Sequence, residues 1–170
     1  QYFYFQGEGE FVLARDTYVP RHFEVRGFNV QCTVEPITTC TKEIKVIYNG
    51  HTVELKAGHQ VFVNGSQWSV PFKFGGMKVT TMGFPLKLEI PSRNVTVVYD
   101  WLSSGFYISV PPSMYAGKTE GLCGLCNNNK TDDCQDREGN IMNDYNNCSC
   151  EWKVDTPDNP SNSCIPEPKP

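Results

Sequence analysis

The chain has 170 residues, 39% hydrophobic and 20% charged, with 15 basic and 19 acidic side chains giving a net charge of -4. That length is enough to bury a core without crosslinks, and the lack of any basic run or basic helix face speaks against a nucleic-acid partner. No apolar run approaches the roughly 18–20 residues of a membrane span, and no signal-peptide pattern precedes the strand-like opening YFYF, so the chain is expected to be a mature or excised piece of something longer.

Period-two alternation dominates the first hundred residues. Glu10–Arg15, His22–Arg26, Glu43–Tyr48, His51–Lys56 and Gln60–Val63 read as short strands with one face toward a core and one toward water. Asn49-Gly50 between two such runs predicts a two-residue hairpin, because both residues tolerate positive φ. Asn64-Gly65 and Gly75-Gly76 mark further turns. The alternation resumes over Met77–Met82, Pro85–Ile90, Asn94–Trp101 and Gly105–Val110. With about ten strands and no amphipathic helix, the pattern predicts an all-β antiparallel sandwich or barrel. The face carrying Lys42, Glu43, Lys45, Glu54 and Lys56 is read as solvated sheet.

From Gln135 the composition shifts to Asp, Asn, Pro, Ser and Gly, with few apolar residues besides Ile141, Met142, Trp152 and Val154. Such a segment buries too little to offset its ordering entropy, so Cys148, Cys150 and Cys164 are expected to pin it. The chain therefore divides into a β-sandwich domain, 1–134, and a loop-rich, disulfide-pinned tail, 135–170, whose last residues Pro166–Pro170 have linker character.

Eight cysteines, Cys32, Cys40, Cys123, Cys126, Cys134, Cys148, Cys150 and Cys164, point to a disulfide framework and an oxidising compartment. A single CxxC, with His22, His51 and His59 far from it in sequence, does not make a zinc site. Cys32 and Cys40 bracket a seven-residue loop and are expected to bridge each other. Sequons at Asn64, Asn94, Asn129 and Asn147 agree with a secreted or cell-surface glycoprotein.

The chemistry-bearing stretch is Tyr115–Cys134, YAGKTEGLCGLCNNNKTDDC. Its C-G-L-C box has the spacing of thiol–disulfide exchange enzymes, in which an activated thiolate attacks and a second thiol resolves. Those enzymes set the box at a helix N-terminus, however, and here no helical pattern follows; structural disulfides are the preferred reading. Asn127, Asn129, Asp132 and Asp133 offer the oxygen donors Ca²⁺ takes, without the glycine and terminal glutamate of an EF-hand. No nucleophile elbow surrounds Ser66, Ser69 or Ser113, and no paired carboxylates stand out, so no enzyme is expected.

Four stretches together resemble the von Willebrand factor type D domain, the module of gel-forming mucins, von Willebrand factor and related extracellular proteins. Tyr4-Phe-Gln-Gly with Phe11-Val-Leu-Ala is similar to the early YxFQGxCxYVL strand pair of that family, and Asn29–Cys32 with Cys40-Thr-Lys to its NxxC…CTK segment. Val61–Gly65 is similar to its V.VNG strand. Gly121-Leu-Cys-Gly124 with Asp132-Asp133 resembles its GLCGNxNGxxxDD signature. There are departures: Gly9 stands at a usual cysteine, Leu125 at a usual Asn ligand and Cys126 at an aromatic, and the upstream GDPH and TFDG segments are missing. The order C-G-x-C, DDC, Gly139, Cys148, Trp152-Lys-Val154, Pro160, Cys164 is closest to the fourth D assembly of gel-forming mucins.

The resemblance implies a non-catalytic structural or adhesive module of a larger extracellular glycoprotein, its partners being neighbouring modules or copies of itself, with Ca²⁺ as the one candidate cofactor. It leaves two rivals. One is a module capturing a secreted protein ligand through an apolar patch of Trp68, Phe72 and Phe74; the other is disulfide exchange at Cys123 and Cys126 during multimer assembly. It also implies a strand missing before Gln1, and with it an uncovered sheet edge.

Overall fold

The computed structural model describes residues 8–33, 38–127, 129, 131–142, 148 and 150–154. The expectations for Tyr4–Gly7, Asn147, Pro160, Cys164 and the linker-like end lie outside these residues.

Twelve strands are formed among the described residues, in two antiparallel sheets. They are β1 (Gly9–Asp16), β2 (Phe23–Thr33), β3 (Thr38–Tyr48), β4 (His51–Lys56), β5 (Val61–Val63), β6 (Ser66–Trp68), β7 (Phe72–Phe74), β8 (Met77–Thr81), β9 (Leu86–Ile90), β10 (Val95–Asp100), β11 (Gly105–Ser109) and β12 (Thr119–Glu120). One four-residue helix, α1 (Pro112–Tyr115), precedes β12. The first sheet runs β12-β1-β2-β3-β4-β5-β6 and the second β11-β10-β9-β8-β7. Within each sheet consecutive strands pair as antiparallel neighbours; the chain crosses between sheets from β6 to β7, and after β11 it returns so that β12 lies beside β1. Asn49 and Gly50 adopt φ of 53° and 76°, the left-handed pair that a two-residue turn between β3 and β4 demands.

The alternation in sequence becomes the sandwich interior. Val25, Ile44, Val46, Val53, Leu55 and Val61 from the first sheet meet Val79, Leu86, Leu88, Ile90, Val97 and Tyr99 from the second, all fully buried. Tyr99 is the one polar tip in this layer, and its hydroxyl donates to the Thr41 carbonyl at 2.9 Å. Trp68, Phe72 and Phe74 sit where the chain crosses between sheets. Trp68 lies 5.2 Å from Phe72 and 4.9 Å from Phe74, and all three are half-buried against the core.

The edge of β1 is covered. Arg15 and Asp16 pair with β12, and Phe11 bridges Lys153 from the tail. Val12 N donates to Trp152 O at 2.8 Å, and Val154 N to Glu10 O at 2.8 Å. The tail thus pairs with the edge of β1 beside β12; the edge expected where a strand would precede Gln1 lies outside the described residues. Trp152 is fully buried, with the guanidinium groups of Arg15 and Arg137 over its ring at 5.3 and 5.7 Å, and its indole N–H donates to Gln135 O at 2.9 Å. Arg137 also donates to the carbonyls of Glu151 and Lys153. Cys150 is disulfide-bonded.

On the solvent side of the first sheet, Glu43 and Glu54 lie diagonally across β3 and β4, with Lys56 Nζ 3.9 and 3.5 Å from them. Burial, then the hydrogen bond shared with Glu54, pushes Glu43 from 4.5 up to about 7, while the same bond holds Glu54 below the usual value. A raised carboxyl stabilises the fold while it keeps its proton, so that contribution is complete below 4.5 and is lost as pH rises through about 7. The depressed Glu54 acts oppositely, and its share is lost as pH falls below its ordinary range. Between pH 5 and about 7.5 the pair therefore favours the acidic side. Urea unfolding across that window is expected to show stability falling with pH, and Glu43→Gln to flatten the slope.

Candidate functional site

The segment after β12 folds back onto β1. Leu122 N donates to Val12 O at 3.1 Å and Cys123 N to Leu13 O at 2.8 Å. Thr119 Oγ1 donates to Gly124 O at 2.8 Å, and Gly117 N to Leu125 O at 2.9 Å, closing the loop on itself. The two glycines of the G-L-C-G run are required by this geometry. Gly121 has φ of +116°, and a Cβ there would stand 2.7 Å from Leu13 O; Gly124 has φ of +79°, and a Cβ would collide with the Asp133 carboxylate. Gly124→Ala is expected to cost about 1–3 kcal/mol through the left-handed backbone alone, with displacement of Asp133 in addition; a denaturant titration checks it.

Asp132 and Asp133 lie beneath this loop. Asp133 is buried, and burial, reinforced by the charge of Asp132, raises its carboxyl above the usual range against the hydrogen bond from the Leu125 backbone. Asp132 Oδ1 is buried and accepts no hydrogen bond, whereas its Oδ2 accepts from the side-chain amides of Asn127 at 2.8 Å and Asn129 at 3.4 Å. The amide oxygens of these two asparagines are occupied locally: Asn127 Oδ1 accepts from Asn129 N at 3.0 Å, and Asn129 Oδ1 from Thr131 N at 3.1 Å and Thr131 Oγ1 at 2.8 Å. Of the four residues expected to hold Ca²⁺, the structure brings the two aspartates together as acceptors and sets the two asparagines as donors to Asp132. Asp132 Oδ1 fits a hard cation; Asn127 and Asn129 would have to turn their amides to join it. Among the described residues no three His, Cys, Asp or Glu side chains gather as a metal site.

The cysteines fall into distinct settings. Cys32 and Cys40 are bridged, tying the end of β2 to the start of β3. Cys123 is half-buried, and desolvation, with the nearby Asp133 charge, drives its thiol up to about 12. Cys126 is exposed, with φ of 54°. Cys134 and Cys148 are buried side by side, and burial followed by their mutual hydrogen bond raises the Cys148 thiol. A thiol near 12 holds only about one thiolate in 10⁵ at pH 7, the opposite of what an attacking cysteine needs.

Of the sequons, Asn94 is exposed in a left-handed turn position that ends the 3-10 turn Pro91–Arg93. Asn64 is exposed too, but its amide is engaged: Oδ1 accepts from Thr52 N at 2.9 Å, and Nδ2 meets His51 Nδ1 at 3.1 Å. Asn129 is the Asp132 neighbour described above.

Sequence reasoning missed one polar centre. Asp16, fully buried at the end of β1, accepts from the backbone N–H groups of Tyr18 at 3.1 Å, His22 at 2.8 Å and Phe23 at 2.7 Å. The loop 17–22 is wound around this carboxylate. It places His22 in a stack on Tyr18, with ring centroids 4.5 Å apart, and His22 Nδ1 3.0 Å from the hydroxyl of buried Tyr115.

A profile of the von Willebrand factor type D domain matches residues 1–140. Across 94% of the chain the sequence is 30% identical to the intestinal mucin-like protein of Rattus norvegicus, covering 20% of that protein. It is 31% identical to human mucin-5AC over 82% of the chain and 3% of that protein. It is 28% identical to von Willebrand factor of Bos taurus over 99% of the chain and 19% of that protein. The chain thus spans a fifth or less of the length of these relatives. With the two-sheet sandwich and the G-L-C-G loop seated on β1, these matches place the chain in the von Willebrand factor type D domain family.

Proposed function

We propose that this chain is a non-catalytic structural or adhesive module of a secreted, disulfide-rich glycoprotein, working by presenting a rigid sandwich to neighbouring modules or to copies of itself. The observation that supports this most is the sealing of the sandwich: the tail pairs with β1, Trp152 locks it there, and the G-L-C-G loop is tied to the same strand. The groups with chemical potential are spent on holding the fold. The Cys123 thiol is driven up, and the aromatic side chains Trp68, Phe72 and Phe74 pack on the core. These features weigh against disulfide exchange and against ligand capture by that patch. Expression behind a secretory leader in mammalian cells tests the reading. The chain is expected in the medium, with a mass that drops on enzymatic removal of N-glycans; a chain retained unfolded in the cell or carrying no glycan at Asn94 would count against it.

Within this reading, Ca²⁺ is proposed at Asp132 and Asp133, on the strength of the buried Asp132 Oδ1 that accepts no hydrogen bond. Calcium is then expected to raise the melting temperature over a chelator control, and Asp132→Asn to abolish the increment. Equal melting in calcium and chelator would remove the ion from the account.

A further inference from the structure

Two cysteines meet in the interior where the tail joins the sandwich. Cys134 and Cys148 both belong to the buried core, at 5% and 1% exposure. Each is held by its own local structure. Cys134 opens a turn in which Gln135 bridges Ile141 and Met142 N donates back to Cys134 O at 2.7 Å. Asp136 Oδ1 braces that turn, accepting from the backbone of Glu138 at 3.0 Å and of Asn140 at 2.8 Å. Cys148 is helical, as are Cys150 and Glu151, and Trp152 follows four residues after it. One helical turn therefore sets Cys148 and Trp152 on the same side.

Both side chains reach one acceptor. Gln135 O receives the Cys148 thiol, with Sγ at 3.8 Å, and the Trp152 indole N–H at 2.9 Å. That carbonyl belongs to the residue next to Cys134, and the two sulfurs are in hydrogen-bond contact with each other. Turning that contact into a covalent S–S bond of about 2 Å moves the sulfurs together by on the order of 1–2 Å. Cys32, Cys40 and Cys150 are already committed to disulfides. A polar tail with few apolar residues gains more from a crosslink at its docking point than from two buried thiols.

We propose that Cys134 and Cys148 are joined as a disulfide in the mature module, a covalent latch that holds residues 152–154 against β1. The proposal rests on the reading of the chain as a secreted, disulfide-rich module and names one pair within that framework. In the closing step both S–H bonds break and one S–S bond forms. The two electrons and two protons pass to the disulfide of an oxidant such as oxidised glutathione, which leaves as two thiols. Burial raises the Cys148 thiol far above its ordinary range, so the docked pair is a poor nucleophile. The bond forms before the tail is fully seated, and docking then shields it from reductants. Closing a loop of about fifteen residues favours the docked tail on the order of a hundredfold.

The test is made on the whole chain refolded in a glutathione redox buffer, so that the pairing is read whether or not the chain is secreted. Thiols are alkylated at acidic pH and the protein is digested with trypsin without reduction. The expected product joins Thr131–Arg137 to Glu138–Lys153, and fragmentation at Ser149 places the link on Cys148 rather than Cys150. Cys134 and Cys148 both recovered alkylated, or either one linked to another cysteine, overturns the pair. The latch is tested separately in the Cys134→Ser/Cys148→Ser double variant, with thermal melting to verify its fold. Exchange of the Val12 and Val154 amides, which carry the tail pairing, should accelerate by on the order of a hundredfold. Unchanged exchange of those two amides in the folded variant overturns the latch.

Discussion

Replacing Trp152 by alanine is expected to destabilise the protein by about 3–5 kcal/mol, the range for deleting a fully buried large aromatic. The ring is fully buried, with the guanidinium groups of Arg15 and Arg137 over it. Its removal would leave Gln135 O without its indole donor and would loosen the pairing of residues 152–154 with β1. Because this pairing covers a sheet edge, the variant should also self-associate more readily. Chemical denaturation gives the energy, and hydrogen exchange at Val12 and Val154 shows whether the tail detaches before the sandwich opens. Trp152→Phe, which keeps one aromatic ring but loses the N–H and part of the indole's volume, should recover part of the loss.

Asp16→Ala is expected to be comparably damaging. The carboxylate satisfies the N–H groups of Tyr18, His22 and Phe23, and buried donors left without partners cost about 1–3 kcal/mol each, so a loss on the order of 3–5 kcal/mol follows. Asp16→Asn retains one acceptor oxygen and should fall between. The effect should extend beyond stability: with loop 17–22 released, His22 no longer holds the Tyr115 hydroxyl, and exchange of the His22 and Phe23 amides should accelerate most. A variant as stable as the parent would mean that the loop is held by its other contacts.

The strands that form the core were legible because Val, Ile and Leu alternate with charged residues over five or more positions, as in His51–Lys56 and Leu86–Ile90. β6, β7 and β12 were not, since runs of two or three residues carry no measurable period. β2 and β3 extend beyond the expected runs, to Thr33 and from Thr38, on either side of the Cys32–Cys40 bridge. In the tail, composition suggested a segment held by disulfides alone; a single tryptophan, whose partners lie far away in sequence, also anchors it. At the candidate ion site the paired aspartates could be read from the sequence. The direction in which Asn127 and Asn129 turn their amides could not, because it depends on local turns at Asn129 and Thr131. Asp16 resembled any acidic turn residue until the loop closed around it.

The central claim, that the cysteines of this module hold structure and do not perform exchange, is tested most directly by non-reducing peptide mass spectrometry with thiol alkylation on the chain recovered from culture medium. The account predicts a Cys32–Cys40 crosslinked peptide and a Cys123 that resists alkylation at pH 7 in the folded protein. A reversible Cys123–Cys126 bridge, or a Cys123 thiol alkylated rapidly at neutral pH, would contradict it and bring exchange chemistry to the front.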